Sequence, residues 1–447
     1  MDLRNKVGLY GSYFLCMAGI GFILPYLPVY LREQGLSDSA IGLVWMAAAL
    51  SALIQFPLGV WSDRLRARKP ILLVALVVLA LVTYLLRDAA GVVWVGFLAV
   101  MFAENGPCRA TVESLAGAEA VHLAPPNRIA ATLGALRFWR PIGVMAVALI
   151  GREIVKNTGD PSSVLPLIVA LQAAAILAAL LIHEPVSANR QRELPGHGEY
   201  PAAHAAGSPS SSLGDVEYPA AHAAGSPGAV WRDGSLWAFV VAMVLFHAAA
   251  APGGAYLGLF VHRDLGANKD FLPYLFIAMM VAWMLVVRPV GKLADRVGRK
   301  PLLLLGWSAM TLRLALIALA QSPEQILFVQ VLDGFAQGLF GVLAAAWVTD
   351  RFADARRAGE AQVLVGSCLV LGSALGPLAA GLFVETLGYR AMFGLLATTA
   401  GLATLMVLFF VPETLMRNTV PTNRQLALPG DDNYSAAYAV GSPREMP

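Results

Sequence analysis

What most limits this chain is the recurrence of apolar stretches long enough to cross a bilayer. A hydrocarbon core of about 30 Å needs about 20 largely apolar helical residues, because inside it every backbone donor and acceptor must be satisfied within the segment. Twelve such runs follow one another, at approximately 8–31, 39–60, 70–86, 92–115, 129–151, 163–183, 234–262, 271–290, 301–320, 323–348, 361–384 and 390–411. Only 14% of the residues are charged, against roughly 25% in soluble domains, so little is left to cover a water-facing surface. The chain reads as an all-α polytopic membrane protein.

Charge is placed unevenly between the loops. Orientation follows the Lys/Arg count of short loops near the membrane, the richer side being cytoplasmic. With the N-terminus inside, the cytoplasmic segments hold RNK at 4–6, RLRARK at 64–69, KLADRVGRK at 292–300, and Arg351, Arg356 and Arg357. The opposite loops carry few cations, mostly beside acids: Arg32–Glu33, Arg87–Asp88, Arg152–Glu153 and Arg263–Asp264. Both termini are therefore expected in the cytoplasm, in a cell inner (plasma) membrane. No cleavable signal is evident, since the first apolar run is too long and contains Pro25 and Pro28. The lipid bilayer is the evident partner; a net charge of +3 says little, and no nucleic-acid partner is expected.

The chain repeats itself. FPLGVWSDRLRARKP at 56–70 ends the second run and leads into the third; RPVGKLADRVGRKP at 288–301 ends the eighth and leads into the ninth. Both read Pro-x-Gly-x-x-x-Asp-Arg, then a basic cluster and Pro. HEP at 183–185 closes the sixth run as PET at 412–414 closes the twelfth. This punctuation divides the chain into a six-helix bundle at 1–184, a linker at 185–232, a second six-helix bundle at 233–415 and a tail at 416–447. The linker is rich in Pro, Gly, Ser and Ala and cannot bury a core. EYPAAHAAGSP stands in it at 199–209 and again at 217–227, with a relative, YSAAYAVGSP, at 434–443. A His204/His222 metal site competes there with a tolerated repetitive insertion; the absence of fixed geometry favours the insertion. Cys16, Cys108 and Cys368 fall on different helices without metal spacing, so neither a metal nor a cofactor is expected.

These residues resemble the major facilitator superfamily of secondary transporters over essentially the whole chain apart from the linker and tail. GKLADRVGRKP matches its signature loop at Gly291, Asp295, Arg296, Gly298, Arg299 and Lys300; GVWSDRLRARKP matches at Gly59, Asp63 and Arg64, while Arg66 departs and the basic pair arrives one residue late. The resemblance implies two pseudo-symmetric six-helix bundles, a monomer, and Asp and Arg side chains that latch the bundles and help control the outward-facing state. The loops can also be read physically, as close glycine packing, an Asp near a helix end or an Arg, and a basic topology anchor at the anionic leaflet. ILPYLPVYLREQGLSDSAIG at 23–42 looks like the sugar, nucleoside and aromatic-acid proton-symporter branch. GALRFWRPIG at 134–143 is similar to that branch at Gly134, Arg137, Trp139 and Gly143 and departs at Arg140 and Pro141. VLDGFAQGLFGV at 331–342 looks like bacterial facilitators of another kind. The Gly-Pro-x-x-Gly-Gly pattern of antiporters is absent from the fifth helix, though GSALGPLAAG at 372–381 resembles it in the eleventh.

Ionisable residues at membrane depth normally face a bundle interior or a water-filled cavity, with partners. A rise of about 1.5 Å per residue puts Glu104 ~18 Å below the outer face, and Arg137 and Arg140 ~12 and ~16 Å above the inner one. Glu104 can thus meet either arginine, and the three-residue spacing puts both on one side of their helix. Arg137, which fits the family position and has Glu104 at its depth, is the arginine favoured for function. Arg313, ~18 Å up, and Asp333, ~13 Å down, form a second depth-matched pair in the other half. As structural ion pairs these groups fix helix register. As a transport site, cavity arginines receive an anionic or polar substrate while a carboxylate exchanges protons, and competition for a shared partner couples the two events. Arg109, Arg137 and Arg140 outnumber Glu104 and Glu113 in the first half, which favours an anion. His247 reads as a coupling group or as a hydrogen-bonded packing histidine. Asn105, Gln55 and Gln337 are candidate ligand hydrogen-bonding groups; Gly334, Gly338 and Gly341 read as packing residues. Pro25 and Pro28 predict a kink in the first helix.

The expectation is a proton-coupled secondary transporter of a small organic solute, working by alternating access, with import of an organic anion favoured and efflux of drugs or metabolites as the alternative. A membrane-embedded enzyme would need clustered histidines and carboxylates or a nucleophile beside a base, and no such motif is present. A non-transporting sensor on the same fold lacks a recognisable output domain.

Overall fold

In the computed structural model residues 3–64, 68–124, 129–183, 232–352 and 355–414 are described. The linker repeats, His204, His222, the tail, Arg66 and the side chains of Asp63, Arg356 and Arg357 lie outside the described residues.

The apolar runs form helices with boundaries close to those expected. The first crossing is α1 (Leu3–Ala18) and α2 (Ile20–Glu33); the second is α3 (Asp38–Ser51) and α4 (Gln55–Arg64), joined by a short 3-10 turn. The third is α5 (Arg68–Arg87), and the fourth is α6 (Val92–Phe102) and α7 (Pro107–Leu123). The fifth and sixth are α8 (Ile129–Thr158) and α9 (Leu165–Leu180). The seventh comprises α10 (Gly234–Ala250) and α11 (Pro252–Arg263). Then come α12 (Leu272–Val297), α13 (Arg299–Leu319) and α14 (Pro323–Arg351). The last two crossings are one element, α15 (Ala355–Phe410), which turns at Gly388 with φ +79°. Among the described residues ten helical stretches are long and apolar enough to span. The α6–α7 segment escapes that count because it is broken and carries Glu104, Arg109 and Glu113. The α15 stretch holds two crossings.

Local chemistry sets the ends. Asp233 caps α10, its carboxylate accepting the Ser235 and Leu236 N–H groups, and Ser322 caps α14 through Gln325 N–H. Pro107, Pro252 and Pro323 stand in first turns, where their missing N–H costs nothing.

Two features differ from the sequence reading. The first crossing bends at Gly19 and not at Pro25 or Pro28, both of which lie inside α2. A side chain at Gly19 would stand only 2.8 Å from the Arg109 guanidinium, so the break is where a neighbour needs space. The fourth crossing is not one continuous helix: Ala103 is extended, with ψ 159°, and frees the last carbonyls of α6.

Both halves bury aromatic cores. Phe246 stacks on Trp307 at 4.5 Å and Phe239 lies 4.5 Å from Trp347, both tryptophans being fully buried; Tyr13, Phe22, Tyr26 and Phe102 do the same in the first half. Large apolar residues such as Val93, Leu319 and Phe328 are more than 70% exposed, as lipid-facing surfaces require. Gly334 and Gly338 pack against α12, as expected; Gly341 does not, since nothing lies within 4 Å of a side chain built there.

Candidate functional site

The fifth crossing carries the first site. Arg140 on α8 reaches the α6–α7 break and the first turns of α7. Its Nη2 lies 2.6 Å from Glu104 Oε1, and its Nη1 lies 3.1 Å from Glu113 Oε2 and 3.3 Å from Oε1. The three side chains are 27%, 25% and 39% exposed, so the cluster is within reach of water. Tyr13 on α1 brings a buried hydroxyl beside the Arg140 guanidinium. One guanidinium therefore holds two carboxylates, with the charge of Arg109 also felt at Glu104.

Arg137, the arginine favoured from sequence, is not in this cluster: Glu104 pairs with Arg140 instead. Arg137 is exposed and pairs with neither carboxylate. At about 100° per residue it lies on roughly the opposite side of α8 from the exposed apolar positions Ala146, Leu149 and Ile150. Those positions mark the lipid face, and Arg137 shares the opposite face with Val144 and Ala148, which line a crevice with Phe276 and Met280 of α12.

Arg109 corrects the count of cavity cations. It is 1% exposed and donates to the carbonyls of Phe102 and Ala103, with its guanidinium 4.7 Å from the Phe102 ring centroid. It covers the negative end of α6, and its Nε and Nη2 make no hydrogen bond. That is a structural role, not a substrate-facing one. Asn105 sits exposed in the same break, and Gln55 is half-buried on α4.

The second depth-matched pair is brought together. Arg313 Nη2 lies 3.0 Å from Asp333 Oδ2, and the Gln330 side-chain oxygen accepts from Arg313 Nε and Nη2 at 3.0 and 2.9 Å. Gln330 was missed in the sequence, although it precedes Asp333 by three residues and so shares its helix face. Gln337 is half-buried one turn beyond. The arrangement is closed to water, with Arg313 1% exposed. His247 is a packing histidine in this arrangement: Nδ1 is 2.9 Å from the Met243 carbonyl and the ring stands edge-on to Phe340 at 4.8 Å.

The signature loops lie at one end of the molecule, here the loop end. Arg299 donates from Nε to Asp350 at 2.7 Å and pairs with Asp295 at 2.9 Å, while Glu413 accepts the Arg299 and Lys300 backbone N–H groups at 2.9 and 3.0 Å. Gly298, with φ +113°, ends α12 where α13 must begin. These ties join the eighth, ninth, tenth and twelfth crossings and stay within the second half; the expected latch between bundles also involves Asp63, whose side chain lies outside the described residues. Gly59 and Gly291 have open space beside them rather than a packed neighbour, and Arg64 and Arg296 are exposed. The repeat survives in detail: Lys69 Nζ donates to the Leu180 carbonyl at the end of α9, as Lys300 Nζ does to Leu408 near the end of α15, both at 2.8 Å. Glu413 belongs to the PET punctuation, a signal that could have marked it.

At the opposite, far end the halves meet. Tyr389 and Tyr256 both bond Asp38, Ser39 N–H donates to Glu385, Lys269 pairs with Glu33, and Arg152 lies 3.8 Å from Asp270. Toward the loop end, Phe56, Val60 and Trp61 on α4 and Leu293 and Val297 on α12 are exposed. The halves are thus tied by hydrogen bonds and ion pairs at the far end, while toward the loop end Arg288 on α12 lies over the Phe138 ring on α8 at 5.4 Å.

Helical crossings in two repeated halves, with charged groups at membrane depth, define a multi-pass membrane carrier of the secondary-transporter class. The chain belongs to the MFS_1 like family, whose model matches residues 7–418; it is a transporter, not an enzyme. It is 26% identical over 401 residues to an MFS-type transporter of Mycobacterium tuberculosis (strain ATCC 25618 / H37Rv), covering 88% of this chain and 89% of the relative. Over 166 residues it is 28% identical to the multidrug resistance protein MdtM of Salmonella typhimurium, covering 36% of this chain and 39% of the relative. Its fold is that of the nucleoside transporter NupG, with a TM-score of 0.70 at 17% identity over 92% of this chain and 98% of NupG. A D-xylose-proton symporter structure gives a TM-score of 0.65 at 16% identity, covering 92% and 98% of the two chains.

Proposed function

We propose that the chain imports a small organic anion in symport with protons, by alternating access between its two halves. The observation that carries this reading is the contrast between neighbouring arginines: Arg140 holds two carboxylates, and Arg137, one turn away, holds none. A free guanidinium at membrane depth is a ready partner for a carboxylate or phosphate. The Arg140 cluster can take up one proton without leaving the arginine unpaired, because the second carboxylate remains. Glu113 is the exchanging group, being the more exposed of the two and the more distant from Arg140. Anion entry at Arg137 adds negative charge beside this cluster and favours its protonation, which couples the two events.

In this reading the loop end is cytoplasmic, by its Lys and Arg content, the protein works as a monomer in the cell inner (plasma) membrane, and the linker at 185–232 joins the two bundles. Efflux is the second reading. It is favoured by the partial likeness to MdtM. Radiolabelled carboxylates, sugars and nucleosides offered to proteoliposomes with an imposed pH gradient test the two. Import predicts that a carboxylate accumulates when the trans side is alkaline and exchanges in counterflow. Accumulation only in everted vesicles would replace import by export.

A further inference from the structure

The far-end seam is built around one buried carboxylate that no part of the transport site uses. Asp38 opens α3 just after the Ser37 cap and is 5% exposed. Its Oδ1 accepts from the Tyr389 hydroxyl at 2.7 Å, and its backbone carbonyl accepts from the Tyr256 hydroxyl at 2.9 Å. Both tyrosines belong to the other half. The Tyr256 hydroxyl has a second acceptor at 2.9 Å, the Pro377 carbonyl on α15, so its single proton is shared between the halves. Glycines clear the approach: a side chain at Gly42 or Gly381 would run into the Tyr256 hydroxyl, and one at Gly381 also into the Asp38 carbonyl. Gly381 closes the GSALGPLAAG stretch, whose other glycines Gly372 and Gly376 pack on α10.

Each of these contacts has a replacement within one half. If the halves part, the Tyr256 proton passes wholly to Pro377. Asp38 loses Tyr389 but keeps Arg32, whose Nη1 lies 3.6 Å from Oδ2 and belongs to Asp38's own half. An element with two alternative sets of partners is what a two-state gate requires. Two further far-end ties, the ion pairs Lys269–Glu33 and Arg152–Asp270, involve more exposed side chains, and such pairs are weak and screened by salt. We propose that Asp38, with Tyr389 and Tyr256, is the positioning latch of the far-end gate: its hydrogen bonds hold that end shut, and they break when the carrier turns over. This rests on the alternating-access reading but not on the substrate, the direction or the coupling ion.

The test is a distance measurement between spin labels at Gln34 and Thr386, exposed positions on the two halves, in full-length protein with Cys16, Cys108 and Cys368 changed to alanine. Tyr389→Phe removes one hydroxyl and should raise the far-end-open fraction ~5- to 10-fold, the shift set by losing one hydrogen bond to a charged group. Asp38→Ala should do the same or more, and the double variant should open no further than Asp38→Ala alone. Lys269→Ala should leave the distance distribution near that of the parent. Unchanged distances in folded Tyr389→Phe protein, or additive effects in the double variant, would overturn the latch; should Asp38→Ala not fold, Tyr389→Phe alone decides. Labels that move as stated in a protein that transports no solute would uphold the latch and defeat the transport reading instead.

Discussion

Arg140 Nη2 stands 2.6 Å from Glu104 Oε1, bridging the fifth crossing to the break in the fourth. Glu113 completes the contact from the next helix, and the count of two carboxylates to one guanidinium follows. Proton coupling in this account depends on that count.

Neutralising one carboxylate should therefore separate coupling from exchange. Glu113→Gln leaves Arg140 paired with Glu104 and removes the spare proton site. Uptake driven by a pH gradient should fall by at least ~100-fold, the size of effect that loss of a proton-transfer group has elsewhere, while counterflow at equal pH persists. Loss of both activities in folded protein would mean that Glu113 is needed for structure or binding instead.

The Arg313–Asp333 pair should behave as a structural element. Removing one partner of a buried pair strands the other, so Asp333→Ala should cost about 3–5 kcal/mol, seen as a lowered midpoint of thermal unfolding in detergent. Replacing both with apolar residues of similar size, as in Arg313→Met with Asp333→Leu, should restore most of that loss. A double variant no more stable than Asp333→Ala would show that the pair does more than satisfy itself.

Asp233 gives a prediction for acid stability. Burial alone would raise its pKa, but the Ser235 hydroxyl, the Leu236 and Ser235 N–H groups and Arg351 at 2.6 Å together hold it below the usual carboxylate value. A depressed folded-state pKa means stabilisation that is present above the unfolded value of about 3.8 and fades as pH falls through the folded one. Asp233→Ala should thus cost about 1 kcal/mol at neutral pH, as for a lost helix cap, and the difference from the parent should shrink below about pH 4. A difference that persists at low pH would point to packing rather than charge.

The spans were legible because apolar length is a local property, readable without knowing any neighbour. Depth was legible too, which is why Arg313 and Asp333 were matched correctly. Azimuth was not: helix rise gives the height of Arg109, Arg137 and Arg140 but not which helix each one faces. Sequence therefore leaves Glu104 open to either Arg137 or Arg140 and places Arg109 among the cavity cations. The prolines misdirected the expected kink, since Pro25 and Pro28 are accommodated inside α2 while the bend follows the space that Arg109 needs at Gly19. The seam around Asp38 gave no signal, because Tyr256 and Tyr389 stand 218 and 351 positions away and only the packed halves bring them together.

The central claim is that Arg137, free of carboxylates, receives the substrate anion. Uptake of a panel of labelled organic acids into proteoliposomes, driven by an inside-alkaline pH gradient, compares the parent with Arg137→Gln most directly. At least one acid should be accumulated by the parent and Arg137→Gln should abolish this, with the thermal midpoint little changed because Arg137 pairs with no carboxylate among the described residues. Full transport by Arg137→Gln would contradict it.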